Sequence, residues 1–127
     1  MRIALLVVVL LLAAGCRQAA PTPNASTQAA QIALTIAPDP PTVGDATLTI
    51  TVMQQNQPLA GAAVAVRGDM THAGMRPVIP DAASTDAQGK LVLPFKWSMS
   101  GDWIVSVTVT LADKTQIAQD FNVIVKP

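Results

Sequence analysis

From residue 31 onward, apolar and polar residues alternate with a period of two, and no stretch shows a helical period of comparable strength. Ile32, Leu34 and Ile36 share one parity; so do Leu48, Ile50 and Val52, which interleave with Thr47, Thr49 and Thr51. Strands of this kind have one dry face and one wet face. Gln54-Gln55-Asn56-Gln57-Pro58 reads as a hairpin turn leading to Val64 and Val66, after which Gly68-Asp69 breaks the run. Leu91, Leu93, Phe95, Trp97 and Met99 again share a parity, and Pro94 among them marks a sheet edge or a bulge. Ser100-Gly101-Asp102 then turns the chain into Trp103, Val105, Val107, Val109 and Leu111, and Phe121, Val123 and Val125 close it. About seven short strands spaced by turns predict an all-β fold over residues 31–127, an immunoglobulin-like antiparallel β-sandwich. With no Cys-Trp-Cys arrangement, its two sheets are held by apolar burial alone.

The first 30 residues follow different rules. Arg2 precedes an unbroken apolar run from Ile3 to Ala14, shorter than the roughly 20 residues a spanning helix needs but suited to a signal-peptide core. The run closes with Leu12-Ala13-Ala14-Gly15-Cys16, which resembles a bacterial lipobox. Residues 1–15 are therefore expected to be a lipoprotein signal peptide, with Cys16 becoming a lipidated N-terminus. Two or three acyl chains anchor firmly, since each buried methylene contributes about 0.8 kcal/mol. The rest of segment 16–30, Arg-Gln-Ala-Ala-Pro-Thr-Pro-Asn-Ala-Ser-Thr-Gln-Ala-Ala, offers no large apolar residue and reads as a flexible tether spanning on the order of 20 Å. The expected location is extracytoplasmic. Arg17 is not the Asp that retains many lipoproteins at an inner membrane, so in a two-membrane cell the periplasmic face of the outer membrane is expected. In a one-membrane cell it is the outer face of the cell membrane.

Composition removes most chemistry. Eight Lys plus Arg balance eight Asp plus Glu, and loss of Arg2 with the leader leaves a mature net charge of −1. That is no footprint for nucleic acid. One Cys, one His, no Tyr and no Glu exclude disulfide frameworks, multi-His or multi-Cys zinc sites and Glu-based acid/base pairs. Ser98 and Ser100 lack any nucleophile elbow around them, so an enzyme is not expected.

One constellation remains. Met70 and His72 point the same way in an extended chain, Gly74 permits a bend that returns Met75 to them, and Met99 stands just before a turn and Trp103. Thioether sulfur binds hard cations poorly but suits Cu(I), and one imidazole beside two or three thioethers is a reasonable set for that ion. Thioethers also form no disulfides in an oxidising compartment. The competing reading continues the parity of Val64 and Val66 through residues 68, 70 and 72. It turns Met70 and His72 inward and lets three Met residues fill one end of the core. A buried His72 then needs a hydrogen-bond partner, because an unpaired buried polar group costs about 1–3 kcal/mol. Trp97 and Trp103 read as core and inter-sheet packing.

Several of these residues, taken in order, carry a resemblance. Ala60-Gly61-Ala62 with Val64, then Met70, His72 and Met75, then a turn from Asp86 to Gly89, then Met99-Ser100-Gly101-Asp102-Trp103-Ile104-Val105 together resemble the YtkA-like domain across residues 31–127. The resemblance implies a small exported, often lipid-anchored sandwich of the immunoglobulin type, some relatives of which have richer Met/His loops that point to copper handling. This chain departs from the pattern at Lys90-Leu91, where an aromatic is usual, and in having a single His. Two functions follow as expectations. One is a membrane-anchored module binding Cu(I) through Met70, His72, Met75 and Met99 for buffering or delivery to an acceptor. The other is a metal-free structural or protein-interaction domain of the envelope.

Overall fold

The computed structural model describes residues 29–127, so the expected signal peptide, Cys16 and most of the expected tether lie outside the described residues. Eight strands form and no helix is present among the described residues: β1 (Gln31–Ala37), β2 (Gly44–Gln54), β3 (Gln57–Pro58), β4 (Ala63–Met70), β5 (Ala83–Ser84), β6 (Lys90–Trp97), β7 (Gly101–Thr110) and β8 (Gln116–Val125). They make two antiparallel sheets. In the first, β2 is central, with β1 on one side and β6 and the short β3 on the other; the second runs β5-β4-β7-β8. This is the immunoglobulin-like sandwich that the alternation predicts.

The inward parity of every long strand supplies the core. Leu48, Ile50 and Val52 of β2 and Val105, Val107 and Val109 of β7 belong to one core cluster, and all six are fully buried. The core cluster begins at Ala30 and ends at Val125, so the described residues close their own interior. Outward positions of β2 are the threonines, which β-branching suits to a pleated, half-wet surface. Gln55 and Asn56 both adopt positive φ, 52° and 60°, in a two-residue turn of the type whose twist matches flanking strands.

Two boundaries differ from the sequence expectation. β4 does not break at Gly68-Asp69 but runs through both, pairing Gly68 with Val105 and Asp69 with Ile104. The glycine is a packing device: a Cβ built on it falls 2.6 Å from Cζ of Phe95 in the facing sheet. Beside it, Arg67 donates to both carboxylate oxygens of Asp69, at 2.7 and 2.9 Å, and that hydrogen bonding together with the charge raises the pKa of the guanidinium. At the other boundary, β6 stops at Trp97, opposite Gly44 where β2 begins, so residue 99 has no strand partner.

Phe95, Trp97 and Trp103 form an aromatic stack, with ring centroids 4.7 and 5.3 Å apart and steeply tilted planes. Trp103 Nε1 donates to the Met99 carbonyl at 3.1 Å. Trp97 Nε1 is the one fully buried side-chain N or O atom among the described residues without a hydrogen-bond partner. Each tilted aromatic pair contributes about 0.5–1.5 kcal/mol beyond its buried area, which offsets that cost.

Candidate functional site

The sandwich has a root and a tip. At the root, Ala29, the β2–β3 turn and residues 111–117 surround one shallow depression of about 560 Å³, and there Gln31 pairs with Met53 and Ala63 with Thr110. At the tip, Gly44 pairs with Trp97, Met70 with Trp103 and Gly101 with Val125. A ten-residue strand such as β7 rises about 3.3 Å per residue, which separates the two ends by roughly 30 Å.

All four candidate ligands lie at the tip. Met70 is the last residue of β4 and is buried, and its methyl carbon would be 3.2 Å from a Cβ on Gly101. The missing side chain at Gly101 thus makes room for a thioether beside the turn that carries Met99. After Met70 the chain leaves the sheet as a loop of residues 71–77. One foot is fixed by the Thr71 N–H, which donates to the Asp102 carbonyl at 3.1 Å. The other is fixed by a reciprocal pair in which Gly68 and Val78 exchange N–H···O bonds of 2.8 and 2.9 Å. Gly74 reverses the loop with φ +82°, in agreement with the bend expected there.

Exposure separates the four side chains. Met70 belongs to the core, as the packing alternative requires, but His72 does not turn inward and lies exposed. Met75 is 38% exposed and Met99 50%. The inward assignment of His72 and Met99 fails for a physical reason: alternation between faces holds only while a ladder continues, and both residues lie just past the last paired position of their strands. His72 accordingly needs no buried partner. The tip end therefore carries a buried thioether at Met70, accessible thioethers at Met75 and Met99 and an accessible imidazole at His72, and His72 and Met75 stand on a loop clamped at both feet.

No three His, Cys, Asp or Glu side chains come together among the described residues. Sequence reasoning placed Gly101 and Asp102 in a turn but did not foresee that Gly101 makes room for Met70 or that Asp102 and Val78 clamp the loop. Gly101 left a trace in the Ser-Gly-Asp turn. The clamp at Val78 left none, since a single bridge has no periodicity.

A family model described as YtkA-like matches residues 24–108. No curated protein sequence matches the chain. Among solved structures, a C-terminal fragment of intimin, in complex with the intimin-binding domain of its translocated receptor, aligns with a TM-score of 0.53 at 16% identity, over 75% of this chain. The chain spans only 33% of that fragment. The soluble domain of PmoD from a Methylocystis species aligns with a TM-score of 0.50 at 14% identity, over 74% of this chain and 90% of that one. At such identities the likeness is one of fold.

Proposed function

The chain belongs to the YtkA-like family, and on that basis we propose that it is a lipid-anchored, extracytoplasmic binding module that takes Cu(I) at the tip of its sandwich. The observation that carries this reading is the placement of the chain's one His and two exposed Met residues at the end where Met70 also lies. The donor chemistry fits the ion. Thioethers favour a soft monovalent cation, and a single imidazole with no carboxylate or thiolate cluster leaves little for zinc or iron. Met75, His72 and Met99 would hold the ion, with Met70 beneath them. The module buffers copper or hands it to an acceptor protein, and no catalysis is involved.

Orientation supports the same reading. With Cys16 lipidated, the loop would sit roughly 30 Å from where the chain joins the fold, at the end opposite the tether. Titration of residues 29–127 with Cu(I) against a competing chelator should show stoichiometric uptake, lost in both His72→Ala and Met75→Ala. Uptake that ignores both substitutions refutes the site. Mass spectrometry of the native protein should find diacylglycerol on Cys16; an unmodified thiol refutes the anchor.

A second reading has its own observation. Of the large apolar side chains exposed among the described residues, all but Val92 lie toward the tip end, with Ile79 on the β4 flank, Ile124 on the β8 flank, and Val43, Met75 and Met99 on its loops. Apolar patches of this kind mark protein contacts, so a metal-free interaction domain would use the same end. A melting temperature that rises with Cu(I) in the parent but not in His72→Ala separates the two, because a ligand bound only to the native state raises the midpoint.

A further inference from the structure

Oxidant-reactive side chains are few in this domain, and burial sorts them. The chain has no Tyr, and its one Cys is Cys16, so residues 29–127 contain no thiol. Both tryptophans are fully buried. The most readily oxidised groups left are the thioethers of Met53, Met70, Met75 and Met99. Met70 is buried, and Met53, flanked in register by Gln31 and Pro58 near the root, is half-buried. Met75 and Met99 are exposed, and both lie at the end that also carries His72.

The backbone at these two exposed positions is held without their side chains. The loop that carries Met75 is fixed by the Thr71 N–H on the Asp102 carbonyl and by the exchange between Gly68 and Val78. The Met99 carbonyl accepts from Trp103 Nε1, while its thioether lies past the last pair of β6. Neither residue belongs to the hydrophobic core or packs against it. An oxygen added to either sulfur therefore reaches water at no cost in core packing. The same oxygen on Met70 would enter the core beside Gly101, where a polar sulfoxide disrupts packing.

We propose that Met75 and Met99 are sites of reversible sulfoxidation by a peroxide, and that their oxidation switches off Cu(I) uptake; the switch rests on the copper reading above. In the forward step the sulfur lone pair attacks the peroxide, an S–O bond forms, the O–O bond breaks and water or an alcohol leaves. The sulfur is oxidised by two electrons and the peroxide is reduced by two. A sulfoxide presents a hard oxygen where the thioether presented soft sulfur, which suits Cu(I) poorly. With both exposed residues converted, the tip end retains as soft or borderline donors only the His72 imidazole and the buried Met70 thioether. Sulfoxide reductases reverse the step: the oxygen leaves as water while a pair of thiols becomes a disulfide.

Graded hydrogen peroxide treatment of residues 29–127, which close their own core, tests both parts. Peptide mass spectrometry reads the modification, and Cu(I) titration against a competing chelator reads the switch on the same samples. At a dose that converts Met75 and Met99 fully, Met53 should lag, Met70 should remain a thioether and the thermal melt should stay cooperative. Cu(I) uptake should be lost at that dose and should return after incubation with both epimer-specific sulfoxide reductases and a dithiol. Met53 or Met70 oxidising ahead of the exposed pair or in step with it overturns the sites, and so does a melt lost as the pair is converted. Undiminished uptake by the oxidised chain, or a loss that the reductases do not restore, overturns the switch. A parent chain that takes up no Cu(I) overturns the copper reading and the switch with it, and the order of oxidation then stands or falls on the mass spectra alone.

Discussion

Gly68→Ala is a test in which local propensity and packing predict opposite signs. Glycine inside a strand normally costs about 0.5–1 kcal/mol relative to alanine, so on backbone grounds alone the substitution should stabilise. The structure argues otherwise. The new Cβ would lie 2.6 Å from Cζ of Phe95, with two further ring carbons at 3.4 and 3.5 Å. The ring has little room to retreat, being 5% exposed and stacked 4.7 Å from Trp97. Overpacking of this kind costs about 1–3 kcal/mol, which outweighs the propensity gain. For a domain of this length each kcal/mol corresponds to roughly 4–8 °C in midpoint, so Gly68→Ala should melt several degrees below the parent in a calorimetric or circular dichroism scan. Shortening the ring should relieve the clash: in a double-mutant cycle with Phe95→Leu, the two changes should cost less together than the sum of the singles. If Gly68→Ala melts at or above the parent, or the cycle shows no coupling, the glycine is not there for Phe95 and the account of β4 is wrong.

Two further predictions concern the loops. Thr85 is the one buried polar side chain of the described core; its Oγ1 accepts from the Ala62 N–H at 3.0 Å and donates to the Leu59 carbonyl at 2.6 Å. Thr85→Val keeps the shape but strands the Ala62 N–H, and denaturant unfolding should show a loss of about 1–3 kcal/mol with an unchanged m-value. Asp113, in the β7–β8 turn, accepts from the Thr115 N–H at 2.9 Å, and that backbone bond, helped by the Thr115 side chain, lowers its pKa below 3.8. A lowered folded pKa adds stability above the unfolded value that is lost as pH falls through the folded one. The midpoint advantage of the parent over Asp113→Asn should therefore be present at neutral pH and fade as the solution is acidified below 3.8.

What the sequence made legible was the face of each strand; what it hid was where strands stop. Leu48, Ile50 and Val52, or Val105, Val107 and Val109, declare themselves because burial on one face requires alternation whatever the partner. Strand ends are properties of pairs. Residues 116–120, Gln-Ile-Ala-Gln-Asp, show no clean alternation, yet they are strand because β7 extends to Thr110 and draws Gln116 into register. The two-residue β3 and β5 exist only as partners of longer neighbours and carry no pattern of their own. Gly68 read as a break because its reason for being glycine is a ring 27 positions along the chain, in the other sheet.

The same limit decides the candidate site. Parity carried forward from Val66 and from Trp97 turns His72 and Met99 inward, and it would hold if the ladders ran on. They do not: the chain leaves β4 after Met70, although β7 runs on to Asp102 and Gly101, and β6 loses its partner where β2 begins at Gly44. Freed from the pleat, the imidazole and the thioether turn to solvent, while Met70, one step inside the ladder, stays buried. The line between buried and accessible methionine in this fold is thus drawn by where each ladder ends. Extending the β6 ladder by two pairs would place Met99 at an inward position, and shortening the β4 ladder by one pair would release Met70, with no change of donor residues.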